Sequence, residues 1–204
     1  MKDRKNSSRI LVVDDHPLFR EGLVRVLNQE KDLEVCGEAA DGSEALRRLT
    51  EGKPDLAIVD ISLDGTNGIE LTKQLRDRRP DLRILMLSMH DEGVYADRAL
   101  RAGANGYVMK RERGSVLLEA VRRVLAGHAH FSEEVNDRVL QTLARSGGDS
   151  KASSVDGLSD REFEVFQLIG DGFGTRQIAD RLNLSIKTVE TYREHIKVKL
   201  HLPD

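Results

Sequence analysis

The stretch that decides the fold is Arg9-Ile-Leu-Val-Val-Asp14, an apolar run of strand length that ends in a carboxylate and is followed by Asp15. Similar runs recur as far as Lys110, and each is followed by apolar residues at helical spacing. This alternation is typical of parallel βαβ units. The sequence therefore predicts an α/β fold, a (βα)5 doubly wound parallel sheet. Its predicted strands are Arg9–Asp14, Glu34–Ala39, Asp55–Asp60, Arg83–Ser88 and Gly106–Lys110.

Length and composition limit the classes of protein that the chain can be. It has 204 residues, of which 39% are hydrophobic and 33% charged, which suits two globular domains and excludes collagen-like and wholly disordered chains. No apolar run approaches the roughly 20 residues of a membrane span, and no signal-peptide core follows Met1, so a cytoplasmic protein without membrane contact is expected. The formal net charge of −3 means that nucleic-acid binding would need a local basic patch.

The pattern changes after the fifth predicted helix. A further helix is expected from about Ser132 to Arg145, followed by a Gly- and Ser-rich linker from Ser146 to Gly157. The remainder of the chain is short and helical in pattern. We therefore predict a first domain at 8–128, a helix and flexible linker at 129–157, and a small all-α domain at 158–204.

Polar side chains stand at the ends of four of the five predicted strands, where the loops of a parallel sheet form the ligand crevice. A strand-terminal aspartate alone is more often a turn or cap residue, so the prediction rests on the whole set. Three carboxylates at one edge repel one another unless a divalent cation neutralises them, and Mg²⁺ suits such a site. One carboxylate can then act as a nucleophile toward phosphorus while a lysine and a hydroxyl bind the phosphoryl oxygens. The set is Asp14, Asp15, Asp60, Ser88 and Lys110.

This set, over roughly residues 8–128, resembles the response-regulator receiver domain of two-component signalling. The resemblance implies that Asp60 is the phosphoacceptor and that Asp14, Asp15 and Asp60 bind Mg²⁺. It further implies that Ser88 is the switch hydroxyl, Tyr107 the rotating aromatic residue and Lys110 the phosphate-contacting lysine.

The same resemblance gives roles to the surrounding loops. The backbone carbonyl of Ser62 would complete the metal shell, and the side chains of Ser62 and His90 would influence the rate of dephosphorylation. Two positions differ from the family pattern, because Asp64 and Arg111 stand where such domains often carry proline. These differences bear on loop rigidity and phosphoryl lifetime and leave the assignment of the acceptor unchanged.

A phosphate on the acceptor would pull the Ser88 hydroxyl inward and leave space that the ring of Tyr107 can fill. The surface around the fourth helix, fifth strand and fifth helix would then change. The simpler alternative is a tyrosine that only packs against the fourth helix.

The last part of the chain carries the signals of a helix-turn-helix. Ser159 and Glu162 have the spacing of a capping box, and Gly170-Asp-Gly172 ends the helix that they begin. A second helix is expected from about Thr175, and Ser185 is expected to cap a third that begins at Ile186. Two short helices joined by a tight turn, the second exposed along one side, form a helix-turn-helix.

The last predicted helix carries four Lys or Arg residues and two Glu residues, a modest basic excess. On charge alone, a solvated face is at least as good an interpretation as a DNA-reading face. If the helix reads DNA, the residues sized for phosphate and base-edge contacts in the major groove are Lys187, Thr188, Thr191, Tyr192, Arg193 and Lys197.

Three stretches favour the DNA interpretation through similarity: Leu158-Ser-Asp-Arg-Glu-Phe-Glu-Val165, Gln177-Ile-Ala-Asp-Arg-Leu-Asn-Leu-Ser185 and Lys187-Thr-Val-Glu-Thr-Tyr-Arg-Glu-His-Ile-Lys-Val-Lys-Leu200. They resemble the LuxR-type DNA-binding domain over about residues 157–202. Together with a receiver, this module looks like the NarL/FixJ class of transcriptional response regulators.

That resemblance implies a switch rather than a turnover enzyme. A sensor histidine kinase would donate a phosphoryl group to Asp60, and the helix-turn-helix would bind double-stranded promoter DNA as a homodimer formed on phosphorylation. Such modules usually end in a fourth helix that can pair two copies, whereas this sequence stops at Asp204. Either the sequence is a piece of a longer chain or dimerisation uses other surfaces.

Two alternatives stay open on the sequence. An aspartyl-phosphate phosphatase of the haloacid dehalogenase type also uses a strand-end aspartate with magnesium, but such enzymes carry Asp-x-Asp, and here Ser62 stands two residues after Asp60. The other alternative is a phosphorylation-independent DNA-binding regulator with a degenerate receiver, which the unusual Asp64 keeps open.

Overall fold

The computed structural model describes residues 7–138 and 154–202. The chain divides between residues 139 and 140 into two compact units. In the described ranges, none of the helices combines the length and apolar character needed to cross a bilayer.

The first unit is built around a parallel sheet with strand order β2-β1-β3-β6-β7. This arrangement confirms the predicted doubly wound α/β fold. The main strands are β1 (Ser8–Val13), β2 (Leu33–Ala39), β3 (Leu56–Asp60), β6 (Arg83–Ser88) and β7 (Gly106–Met109), and the helices are α1 (Pro17–Gln29), α2 (Gly42–Gly52), α3 (Gly68–Arg78), α4 (Glu92–Arg101) and α5 (Gly114–Leu125).

The core lies between the sheet and its two layers of helices. All five residues of β3 are buried, as expected for a central strand covered on both faces. Ile58 packs in one cluster with Leu27 of α1 and Val121 of α5, so these two helices cover one face. Helices α2, α3 and α4 contact one another in sequence order and form the other layer.

Short polar side chains start the helices of that second layer. Asp41, Asn67 and Asp91 are the N-caps of α2, α3 and α4, and each side chain accepts a hydrogen bond from a backbone N–H of the first turn. The third helix was predicted from about Asn67, which instead caps it. The strand and helix ends otherwise lie within a residue or so of the predicted ones, except that β4 and β5 were not predicted.

The missed elements form a small antiparallel hairpin, β4 (Ser62–Leu63) with β5 (Thr66–Asn67). Its turn places Asp64 beside Gly65, which has a positive φ of 73°. Two-residue strands are too short to produce a periodic pattern, so no sequence signal marks them. The hairpin fixes the loop that follows Asp60.

The end of the first unit lies along the edge of the sheet. His130 forms an isolated parallel bridge with Gly106, and residues 133–138 are helical. The predicted helix from Ser132 to Arg145 is thus described only in part, and the predicted linker lies outside the described residues up to 153. A 3-10 turn at Ser154–Gly157 begins the described part of the second unit.

The second unit contains α6 (Asp160–Gly170), α7 (Thr175–Arg181) and α8 (Ile186–Leu200). The predicted capping box at Ser159 and Glu162 is present, and the Ser185 side chain accepts from the backbone N–H of Thr188. Asn183, with a positive φ of 50°, ends the turn between α7 and α8. The small core of this unit includes Val165, Leu168, Ile178, Val189 and Ile196, all buried.

Candidate functional site

Asp60 ends β3 at the topological switch point of the sheet. From β1 the chain continues to β2 on one side, and from β3 it continues to β6 on the other. The residue is only 2% exposed. Its Oδ2 lies 2.6 Å from Nζ of Lys110, and its Oδ1 accepts from the backbone N–H of Ser62 at 3.2 Å. The carboxylate is therefore held by groups from two loops.

Asp14 and Asp15 follow β1 at the same edge. Oδ2 of Asp14 lies 2.7 Å from Nζ of Lys110, and its Oδ1 accepts from the backbone N–H of His16 at 2.9 Å. Asp15 Oδ1 lies 2.7 Å from Nδ1 of His16. Donor atoms of these three residues and Asp60 all lie within 4.8 Å of one another, so they could share one metal ion.

Burial and like charge dominate the electrostatics of this pocket. Burial, together with the repulsion from the neighbouring Asp14, raises the pKa of Asp60 to about 7 in spite of the attraction of Lys110. Burial alone would lower the pKa of Lys110, but the Asp60 and Asp14 carboxylates outweigh it and raise that pKa. The pocket thus holds more negative charge than its single lysine neutralises.

Ser88 and Tyr107 stand on the neighbouring strands. Ser88 is fully buried at the end of β6, and its Oγ accepts from the backbone N–H of His90 at 3.0 Å. The Tyr107 ring on β7 is buried, its hydroxyl donates to the carbonyl oxygen of His90 at 3.0 Å, and burial raises the pKa of its phenol. Ser62 Oγ and His90 Nε2 lie 3.3 Å apart across the pocket mouth. This contact connects the loop that follows β3 with the loop that follows β6.

The structure brings together all six residues that the sequence singled out for this pocket, in agreement with strands whose carboxyl ends share one edge. Their individual roles remain predictions. Arg111, which was noted as unusual, lies on the surface with its guanidinium 3.8 Å from a carboxylate oxygen of Asp91.

Sequence reasoning missed four residues that build the pocket. His16 contacts two of the carboxylates, the Phe19 ring lies 4.6 Å from Lys110 Nζ, and the Arg20 guanidinium donates to the Asp14 carbonyl oxygen at 2.5 Å. Their closeness to Asp14 and Asp15 at the start of α1 was the available signal. Gly68 starts α3 against the loop that follows Asp60, where a Cβ would overlap the carbonyl oxygen of Asp60. Only the fold reveals that approach.

In the second unit, α8 presents part of the predicted contact set to solvent. Lys187 and Thr191 are exposed, while Thr188, Tyr192 and Arg193 are partly buried. The Thr188 hydroxyl lies 2.7 Å from Ser185 Oγ at the cap, so it is engaged within the helix start. The exposed face of α8 also carries Glu190.

The C-terminal half of α8 is tied to the start of α6. Lys197 is half-buried and donates to Glu194 at 3.3 Å. Lys199 Nζ donates to Glu162 Oε2 at 2.6 Å, and His195 Nδ1 lies 3.4 Å from the other oxygen of that carboxylate. The Glu162 side chain is only 5% exposed; burial opposes its ionisation, but hydrogen bonds from Lys199 and from Ser159 at the helix cap outweigh burial and lower its pKa. This anchor was not predicted from the sequence.

Family models match both units of the chain. A response regulator receiver domain matches residues 10–122, and the LuxR family of bacterial regulatory proteins matches residues 156–204. The chain belongs to the response regulators with a LuxR-type DNA-binding domain.

Relatives of this response regulator share both of its parts. The oxygen regulatory protein NreC of Staphylococcus aureus is 36% identical over 198 residues, which cover 95% of this chain and 91% of NreC. The crystal structure of ChrA, the response regulator of a heme-sensing two-component system, is 33% identical with a TM-score of 0.55, covering 98% of this chain and 92% of ChrA.

A further solved relative is RcsB from Salmonella enterica serovar Typhimurium, bound to a promoter in the presence of the phosphomimetic BeF3⁻. It is 26% identical with a TM-score of 0.63, and the match covers 98% of this response regulator and 95% of RcsB. The family consists of DNA-binding transcription regulators rather than enzymes. The phosphatase alternative is therefore excluded, and the response regulator fold and class predicted from the sequence are confirmed.

Proposed function

We propose that this response regulator accepts a phosphoryl group on Asp60 from a sensor histidine kinase and, in that state, regulates promoters through its helix-turn-helix. The observation that carries the proposal is the buried Asp60 carboxylate, with Lys110 Nζ 2.6 Å from its Oδ2 and a second carboxylate, Asp14, on the same ammonium group. A structural ion pair needs only one carboxylate for each ammonium group. Two carboxylates on one ammonium group instead suit a pocket that receives a phosphoryl group, whose oxygen atoms Lys110 can bind.

The transfer exchanges one bond to phosphorus for another. An Asp60 carboxylate oxygen attacks phosphorus, the bond from phosphorus to the kinase histidine nitrogen breaks, and its electron pair stays on the imidazole. The product is an acyl phosphate. Water later breaks its phosphorus–oxygen bond, which regenerates the carboxylate and releases inorganic phosphate. Lys110, already beside the carboxylate, stabilises the charge on the phosphoryl oxygens.

The donor set of the pocket fits Mg²⁺. Receiver domains generally bind this ion at an acidic pocket, and Asp14, Asp15 and Asp60 supply the hard oxygen ligands that it prefers. When bound, Mg²⁺ would neutralise the surplus negative charge and coordinate phosphoryl oxygens. Asp14, Asp15 and Asp60 would hold it, while Lys110 would keep its place beside the transferred group.

The switch would follow from the hydrogen bonds that the oxygens of the phosphoryl group can accept. A phosphoryl group on Asp60 draws the Ser88 hydroxyl toward it, and Tyr107 fills the space on the far side of Ser88. The buried ring and its hydrogen bond to the His90 carbonyl support this assignment, since they show that the site accommodates an inward tyrosine.

The edge formed by α1 and α5 is the surface that we assign to the kinase. Leu18 is 85% exposed at the start of α1. Beside it, Phe19, Leu23 and Val108 line an apolar groove of about 280 Å³ that reaches Lys110. An exposed leucine next to such a groove suits an amphipathic helix of a partner, positioned so that its histidine reaches the pocket.

Promoter DNA is the partner assigned to α8. Lys187 and Thr191 lie on its exposed face, where a lysine can neutralise a phosphate and a threonine can meet a base edge. Structures of RcsB show DNA-bound dimers. We assign the same state to this chain, a homodimer formed on phosphorylation, acting in the cytoplasm where promoter DNA lies.

The acceptor assignment is tested by intact mass spectrometry of the full chain after incubation with Mg²⁺ and acetyl phosphate. Wild type and Asp64→Asn, which changes an exposed carboxylate four residues away, are expected to gain one phosphoryl group. Asp60→Asn is expected to gain none. A phosphoryl adduct on Asp60→Asn would contradict the assignment, and no adduct on wild type would favour a phosphorylation-independent regulator.

A further inference from the structure

Residues 130–138, which we call the strap, are bound to the edge of the sheet in the first unit. The backbone of His130 accepts from the N–H of Tyr107 at 2.8 Å and donates to the carbonyl oxygen of Asn105 at 3.0 Å. Further along, Val135 is fully buried although its neighbours in the strap are mostly exposed. The strap is therefore docked on the first unit, and its first residue, His130, is hydrogen-bonded to the backbone of Tyr107.

The strap also binds the first turn of α4. The backbone N–H of Ser132 donates to the Glu92 carboxylate at 2.9 Å, and the Arg138 guanidinium donates to the Gly93 carbonyl oxygen at 3.1 Å. These two contacts, from Ser132 and from Arg138, hold the strap on two consecutive residues of one helical turn.

The Tyr107 side chain reaches that same turn from the other direction. Its hydroxyl donates to the carbonyl oxygen of His90, which directly precedes Asp91, the N-cap of α4. Tyr107 thus contacts the strap through its backbone N–H and the start of α4 through its hydroxyl. A ring that swings outward would leave the His90 carbonyl without this donor and would free the turn that carries Glu92 and Gly93.

We propose that the strap docks fully on β7 and α4 only while Tyr107 is buried, so that phosphorylation of Asp60 tightens this docking. The inference rests on the proposed function and adds to it the element that reads the switch. In chain order the strap precedes the DNA-binding unit, so its docking determines where the chain leaves the first unit. The signal then passes from Asp60 through Tyr107 to the strap within one unit.

The test is hydrogen exchange of the full chain in Mg²⁺, with and without BeF3⁻, followed in peptides that cover residues 130–138. In wild type, BeF3⁻ is expected to slow exchange about fivefold, the change that one net hydrogen bond gives. Tyr107→Phe keeps the ring and removes the hydrogen-bond donor. In this variant the strap is expected to exchange faster than in wild type, and BeF3⁻ is expected to leave the exchange rate unchanged. Ser43→Ala, which removes an exposed hydroxyl on α2, is expected to behave as wild type.

Glu92 provides a second pair of variants. Glu92→Gln keeps an oxygen that can accept from the Ser132 N–H and is expected to retain the protection, whereas Glu92→Ala is expected to lose it. Binding of BeF3⁻ is monitored in every variant by its fluorine NMR signal.

The outcomes separate the two proposals. A BeF3⁻ complex without a change in strap exchange, or the same slowing in Tyr107→Phe as in wild type, would overturn the coupling and leave the phosphoacceptor intact. Absence of both a BeF3⁻ complex and a phosphoryl adduct in wild type would overturn the proposed function and this inference with it.

Discussion

At the scale of single residues, the pocket depends on an imbalance of buried charge. Asp14 and Asp60 are 1% and 2% exposed, and one ammonium group, that of Lys110, pairs with both. Burying charge without full compensation costs stability, so the surplus carboxylate destabilises the unliganded fold, and we expect a bound cation to offset that cost.

Removing the acceptor carboxylate should therefore stabilise the metal-free protein. We expect Asp60→Asn to raise the free energy of unfolding by about 1–3 kcal/mol at neutral pH, because it relieves the repulsion from Asp14 and the burial of a charge. Urea denaturation in the presence of a chelator measures the effect. Asp64→Asn, an exposed carboxylate, should change stability by less than about 0.5 kcal/mol. Equal values for the two variants would show that the buried charge carries no such cost.

Gly68 is the second residue on which the acceptor loop depends. Gly68→Ala is expected to lower the free energy of unfolding by about 1–3 kcal/mol, because the new Cβ overlaps the backbone of Asp60 and Ile61. Gly22→Ala is the matched control, since nothing lies within 4 Å of its Cβ on α1. That change should raise the free energy of unfolding by about 0.5–1 kcal/mol. Chemical denaturation compares them, and a stabilised Gly68→Ala would refute the close approach.

At the scale of elements, α8 has an exposed face, which we propose for DNA, and a face packed against its own unit. Lys187→Glu is expected to weaken binding to a promoter duplex and to reduce the salt slope of log K by about 1 to 2, because a phosphate contact is lost and a repulsion added. Fluorescence anisotropy across a series of salt concentrations measures both. Lys31→Glu makes the same charge change on an exposed residue of the first unit. An unchanged salt slope for Lys187→Glu would show that the exposed face of α8 does not contact DNA phosphates.

The anchor between α6 and α8 predicts the opposite behaviour for Lys199. Lys199→Met and Glu162→Gln should couple by about 0.5–1 kcal/mol in a double-mutant cycle of unfolding, a value that allows for the 41% exposure of the lysine. Calorimetry of the second unit's transition gives the cycle. The salt slope of DNA binding should stay unchanged in Lys199→Met, because this lysine holds the helix and does not meet a phosphate. A slope reduced as in Lys187→Glu would assign it to DNA instead.

Most elements of both units could be predicted from the sequence, because each has a local signal. The strands of the sheet are unbroken apolar runs, and Ser159, Glu162 and Ser185 start their helices as their spacing indicates. The β4–β5 hairpin could not be predicted, since its strands are two residues each. The helix of the strap was expected from about Ser132, but its docking escaped prediction, because its partners, Glu92 and Tyr107, are remote in the chain.

At the scale of the whole molecule, the two units have separate cores, and the proposed switch links them through oligomeric state. Addition of BeF3⁻ and Mg²⁺ is expected to convert the wild-type chain from monomer toward dimer, because phosphorylation would shift the population of a pairing-competent surface. Sedimentation velocity over a range of protein concentrations measures the mass. Asp60→Asn under the same conditions should stay monomeric. A wild type that binds BeF3⁻ and remains monomeric at every concentration would contradict phosphorylation-driven dimerisation.

The sequence by itself determined the doubly wound α/β unit, the helix-turn-helix and the five polar residues at the strand ends, because hydrophobic period, caps and strand ends are local properties of a chain; Tyr107 was added only by resemblance to the receiver family. Only the tertiary structure decided that Lys110 pairs with both Asp14 and Asp60, that Gly68 touches the acceptor backbone, and that Lys199 faces Glu162. Distances between residues far apart in sequence follow from packing and register, which no local pattern contains.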